Sequence, residues 1–162
     1  VTVLPRRGFR LNPLTLDDIR HYYEIIGALE SAALKIVGST LDSGDLLRMH
    51  QLDSGMAQAV AASDFDKYYT LNIAFHEVYL GRCDNARMLA QINLLKQRLY
   101  DWPRRKGMNQ SWEERSIKEH ERFITHLDKG QVQEAANFLQ DVHWSFKVQE
   151  EFIHLYYFSP EL

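Results

Sequence analysis

The sequence predicts an all-α fold, an antiparallel bundle of about six helices preceded by a short β segment. Three observations predict it. Apolar residues recur at three- and four-residue spacing from Thr15 almost to the end. Capping and helix-stopping residues interrupt that pattern at helix-length intervals. No strand candidate remains after residue 14.

The opening residues 1–14 differ from the rest, with two Pro, a Gly, β-branched residues and clustered Arg. They read as a short strand, a turn near Pro5–Gly8, and a second strand. Two such strands are not stable alone in water and should belong to something larger. The first helix starts at the cap Thr15, with Asp17 and Asp18 in its first turn. Its inward face is Leu16, Ile19, Tyr23, Ile26, Ala33 and Val37, and Gly38 ends it. A second helix spans Asp42 to about Ala62, with Leu46, Met49, Leu52, Met56 and Val60 on one side. Ser63 or Asp64 caps a third that runs to Leu80, and Gly81 to Asn85 forms the break. A fourth helix fits Ala86 to Asp101. Pro103 and Gly107 open a polar loop, and Ser111 with Glu114 reads as the capping box of a fifth helix. That helix ends near Asp128 to Gly130, and a long sixth continues to about Phe158. Short connections between such helices imply antiparallel packing.

A chain of 162 residues buries a sizeable single core. Its 45% apolar and 25% charged content is that of a soluble globular protein, and with Cys83 read as a reduced cytosolic thiol the expected location is cytoplasmic. No run is long enough to cross a membrane, and no secretory leader is evident. The single cysteine, Cys83, excludes an intrachain disulfide and a thiolate zinc cluster. Net charge is −3, yet the first ten residues carry Arg6, Arg7 and Arg10 with no acid. A basic tip on an acidic body implies two tasks, of which one is represented in full.

The third helix holds Asn72 and His76, four apart and therefore on one face, with Phe65, Tyr69 and Tyr79 on or near it. His120 lies among Ile117, Ile124 and Leu127, and His143 lies between Leu139 and Phe146. Three imidazoles and an amide oxygen from three helices can thus meet inside the bundle, and neutral imidazole suits zinc or nickel. The bland alternative is three separate hydrogen-bonded core histidines. His21, His50, His126 and His154 read as surface or helix-end residues. The acid pairs Asp17/Asp18, Glu113/Glu114 and Glu150/Glu151 read as helix starts or solvated faces. Glu151 to His154 is the one Glu-x-x-His, so a di-iron bundle enzyme is disfavoured. Phosphate-loop, dinucleotide, serine-hydrolase and zinc-protease motifs are all lacking, and no catalytic residue is assigned.

Leu29-Glu30-Ser-Ala-Ala, Asn72-x-x-Phe75-His76, Cys83-Asp-Asn85-Ala-Arg-Met-Leu89, Glu119-His120, Lys129-Gly130, Ala135 and His143 occur in an order that resembles the FCD effector domain (the FadR C-terminal type) of GntR-family regulators. The likeness covers about residues 15–150. Residues 3–13, with Pro5-Arg6-Arg7-Gly8-Phe9, resemble the last strand and wing of a winged helix–turn–helix. The resemblance implies a division into a wing remnant, 1–14, and an effector-binding domain, 15–162. It implies a dimeric bacterial transcription repressor whose operator contacts lie mainly in a preceding head, with Arg6 and Arg7 meeting DNA. It implies a divalent metal on Asn72, His76, His120 and His143 that helps hold a small carboxylate effector.

Three departures accompany the likeness. Asn72 stands where Asp is commoner, which removes a charge. The family's spacing after His120 falls on Val142, and His143 is one residue further, a rotation of about 100° on a helix. One extra residue in the 128–131 turn would correct it. Ile26 stands where the family often has Arg, so a carboxylate partner must come from elsewhere, with Arg98 as a candidate. Two other readings are a metal-dependent helical enzyme and a metal-free dimerisation module.

Overall fold

A computed structural model describes residues 2–4, 8–10, 12–100 and 109–158. Arg6 and Arg7 lie outside the described residues. Strands β1 (Thr2–Leu4) and β2 (Gly8–Arg10) pair antiparallel, with Val3 opposite Phe9. Gly8 takes φ +93°, a conformation that glycine adopts without strain.

The rest is helical: α1 (Leu16–Val37), α2 (Ser43–Ala61), α3 (Phe65–Leu80), α4 (Ala86–Tyr100), α5 (Gln110–Asp128), α6 (Val132–Phe138) and α7 (Phe146–Ile153). Thr15 and Asp18 form a reciprocal capping box on α1, and Asp42 and Asp45 form another on α2. Asp64 caps α3 by accepting from the Lys67 amide. The cap of α5 is Asn109, not Ser111. The Asn109 side chain accepts from the Trp112 amide, and the Ser111 hydroxyl donates to that same Asn109 oxygen. Asn is as good a cap as Ser and stands two residues earlier than the sequence pattern suggested.

The long sixth helix is corrected to two short ones. Residues 139–143 form a π-helical turn, in which the Trp144 amide bonds the Leu139 carbonyl at 2.8 Å. Ser145 is then extended (φ −83°, ψ 112°) before α7 begins. Gly27 makes room for this break. A Cβ there would lie 2.9 Å from Cβ of Trp144, so only glycine lets α1 approach so closely.

Helix α2 packs between α3 and α5, while α1 lies against α4, α6 and the π turn. The larger apolar cluster gathers residues such as Leu34, Met49, Phe75 and Phe123. A smaller one holds Ile19, Tyr23, Ile26, Leu99, Trp144 and Tyr157. His120 stacks on Phe75 of the first at 4.1 Å, and His143 meets Trp144 of the second edge-on at 5.4 Å. The histidines therefore occupy the seam between two apolar bodies. No helix among the described residues is long and apolar enough to cross a membrane.

Candidate metal and effector site

Inward-facing positions of α3, α5 and the π turn bring His76, His120 and His143 together. One nitrogen from each lies within 4.8 Å of the other two. His76, His120 and His143 are the residues that would hold a divalent ion here.

A carboxylate stands behind Nδ1 of every ring. Glu30 Oε2 is 3.0 Å from His76 Nδ1, Glu119 Oε2 is 3.0 Å from His143 Nδ1, and Asp53 Oδ1 is 3.5 Å from His120 Nδ1. The ionised carboxylates of Glu30 and Glu119 only accept, so the Nδ1 of His76 and of His143 that faces each one carries the proton and the lone pair is left on Nε2. His120 Nδ1 and Asp53 Oδ1 make no hydrogen bond, and burial pushes the Asp53 carboxyl up to about 7. Nε2 of His76 and Nε2 of His120 are buried with no hydrogen-bond partner. Burial pushes His76 down to about 3, helped by nearby Lys96, and holds His120 well below the usual imidazole range. Both rings are therefore neutral, the form that binds a metal. Buried polar nitrogens are rarely left unpaired without reason. Such a set of carboxylate-backed imidazoles fits a divalent ion.

Asn72 is buried on α3. Its amide nitrogen donates to the Tyr100 hydroxyl at 3.5 Å, and its amide oxygen has no hydrogen-bond partner. Asn72 and His143 line one cavity of about 110 Å³. The other walls are mostly aromatic, including Tyr23, Tyr68, Tyr100, Trp112, Trp144 and Tyr156.

The extra residue before His143 is absorbed by the π turn, where one residue beyond the α pattern is accommodated. The 128–131 turn is a tight Schellman stop, with Gly130 at φ +69° and bonds from Gly130 to Leu127 and from Gln131 to His126.

Two other sequence readings change. Arg98 is not among the residues lining the cavity. Its guanidinium donates to the Asn12 carbonyl. The buried cation is Lys96, whose ammonium is 2.5 Å from Glu30 Oε1. Glu113 is not solvated: it is buried, lines the cavity, and burial pushes its carboxyl up to about 7.

Glu30 also accepts from the Tyr79 hydroxyl at 2.6 Å and the Trp144 indole at 2.9 Å. Burial opposes its charge, but Lys96 and His76 hold it well below the usual carboxylate range. Glu119 is likewise held down against burial by His143, Gln149 and Arg115. Roles for Glu30, Asp53, Lys96 and Gln149 escaped the sequence reading. The signal was present: Lys96 falls on the stripe of Ile92 and Leu99, where a charge needs a partner. His21, His50 and His154 are exposed and His126 is half-buried at the end of α5.

No curated protein and no solved structure matches the chain. The family model for the FCD domain matches residues 21–142, which run from within α1 to within the π turn and hold two of the three clustered histidines, His76 and His120. The chain therefore belongs to the FCD family, the effector-binding domain of GntR-type transcription regulators.

Proposed function

We propose that this chain is the sensing and dimerisation part of a cytoplasmic bacterial repressor, and that it responds to a small organic acid through a bound divalent ion. His76, His120 and His143 hold the ion through Nε2, Asn72 supplies its amide oxygen, and zinc or nickel suits this donor set. The ion, when bound, offsets the charge of a carboxylate that would be costly to bury alone. Residues 15–162 form the effector domain. The β1–β2 hairpin is the end of a winged head, with Arg6 and Arg7 directed to operator DNA.

The observation that carries this reading is a cluster of three rings, two of them hydrogen-bonded at Nδ1 to a buried carboxylate, Glu30 behind His76 and Glu119 behind His143. Carboxylates in that position hold the rings in orientation and raise their basicity toward a metal. Glu77, beside His76, is exposed, so it does not serve as a general base for the alternative of an enzyme. Signalling requires that the acid bind two bundle arrangements with different affinity. The break at Trp144–Ser145, which touches both the site and α1, is the element placed to differ between them.

Calorimetric titration of chelated protein with zinc and nickel tests the metal, and a carboxylate panel on the loaded protein tests the sensing. The expected results are one ion per chain, loss of binding in His76→Ala, and an acid that binds only when the ion is present. An unchanged melting temperature after chelation, matched by His76→Ala, supports the metal-free dimerisation module instead.

A further inference from the structure

The cavity beside the histidines has an unusual lining for a receptor of acids. Among the described residues that line it there is no Arg and no Lys, and two of its polar residues are the carboxylates Glu113 and Glu119. Glu119 is already engaged by His143, Gln149 and Arg115. Glu113 is not. It is only 7% exposed, and its Oε2 has no hydrogen-bond partner. An unpaired buried oxygen on a residue that lines a cavity stands to gain a hydrogen-bond donor from a ligand.

The remaining walls limit what carries that donor. Tyr68, Tyr100, Trp112 and Tyr156 present ring faces and edges, which suit an aromatic ring. The volume, about 110 Å³, is of the order of the ~150 Å³ cavity that admits one benzene. A second carboxylate on the ligand would meet the ionised Glu119, with no cation among the described lining residues, a like-charge contact out of water.

We infer that the effector is a single-ring aromatic monoacid carrying a hydroxyl or amino donor, with Glu113 as the residue that selects the donor. The inference rests on the proposed metal reading for the carboxylate end of the ligand. The ring and donor end rest on the cavity alone. Burial pushes the Glu113 carboxyl up to about 7, and an incoming donor relieves that cost where a second acid would increase it.

Trp112 and Trp144 both line the cavity, so their fluorescence reports binding directly. The chain is titrated, chelated and zinc-loaded, with 4-hydroxybenzoate, benzoate, phenol, toluene and succinate. Hydroxybenzoate should bind about tenfold or more tighter than benzoate, and phenol tighter than toluene by a similar factor. Both preferences should disappear in Glu113→Leu, and Glu113→Gln, which keeps an acceptor and the shape, should retain part of them. Phenol preference without any effect of zinc removes the metal reading and leaves the role of Glu113 standing. Succinate binding to loaded protein as tightly as hydroxybenzoate overturns the aromatic inference and leaves the metal reading intact. Preferences that survive in folded Glu113→Leu overturn the role of Glu113, and no binding by any ring compound overturns the inference as a whole.

Discussion

The ammonium of Lys96 sits 2.5 Å from Glu30 Oε1, with the carboxylate wholly out of water and the ammonium nearly so. The pair ties α1 to α4, and through the other Glu30 oxygen it reaches His76, Tyr79 and Trp144. Removing one partner strands a buried charge. Lys96→Met and Glu30→Gln should each lower unfolding free energy by about 3 kcal/mol or more. The double variant should recover a large part of that loss, which urea denaturation of all four proteins measures.

Glu30 also orients His76, so its loss should be felt at the metal before it is felt in the fold. Under conditions where Glu30→Gln remains folded, zinc affinity should fall by about 10- to 100-fold, as expected when the outer partner of a ligating histidine is removed. Competition with a chromophoric chelator reads this directly. Glu150→Gln, on the exposed face of α7, should leave the affinity unchanged.

The π turn makes a prediction about deletion. Asp141 is exposed within it, and removing that residue should convert residues 139–143 into a regular α turn while keeping His143 on its heading. Zinc-dependent stabilisation should survive. Deleting Lys129 instead disrupts the Schellman stop and rotates α6 by about 100°, so the stabilisation should be lost. Thermal melts with and without zinc distinguish the two.

Acid stability of the metal-free chain should reflect opposing groups. His76 titrates at about 3 when folded against an ordinary 6.5, so the unfolded state binds more protons below 6.5 and stability falls as pH drops. His120 has the same sign. Glu113, raised to about 7 from 4.5, has the opposite sign: its contribution is present at low pH and is lost as pH rises through that window. Asp53, raised to about 7 from 3.8, acts with Glu113. Wild-type stability should therefore vary little between pH 4.5 and 6.5. Glu113→Gln should lose stability on acidification more steeply, by up to about 1.4 kcal/mol per pH unit. Parallel curves from urea unfolding at several pH values would count against this assignment.

Gly27 predicts a cost for a single methyl group. Gly27→Ala places Cβ against Cβ of Trp144, which is chain-anchored and cannot swing aside. The helix gains propensity but α1 must move off the π turn, with a net loss of about 1–3 kcal/mol. Denaturation midpoints, together with zinc affinity through the neighbouring His143, provide the measurement.

The sequence by itself determined the helical class, the helix starts at Thr15 and Asp42, and the inward faces that carry Asn72, His76 and His120. These are consequences of local spacing and capping, so they are legible along the chain. The resemblance carried His143 as well, although its register seemed wrong by one residue. Only the tertiary structure decided how that residue is absorbed, because a π turn depends on what α1 leaves room for at Gly27. Only it decided that Lys96 is a buried cation paired with Glu30, that Glu30, Glu119 and Asp53 stand beside the three rings, and that Glu113 lines a cavity. A charged residue reads the same in a sequence whether it faces water or a partner. Burial and pairing are set by residues far away in the chain, and here they are what make three histidines into a site.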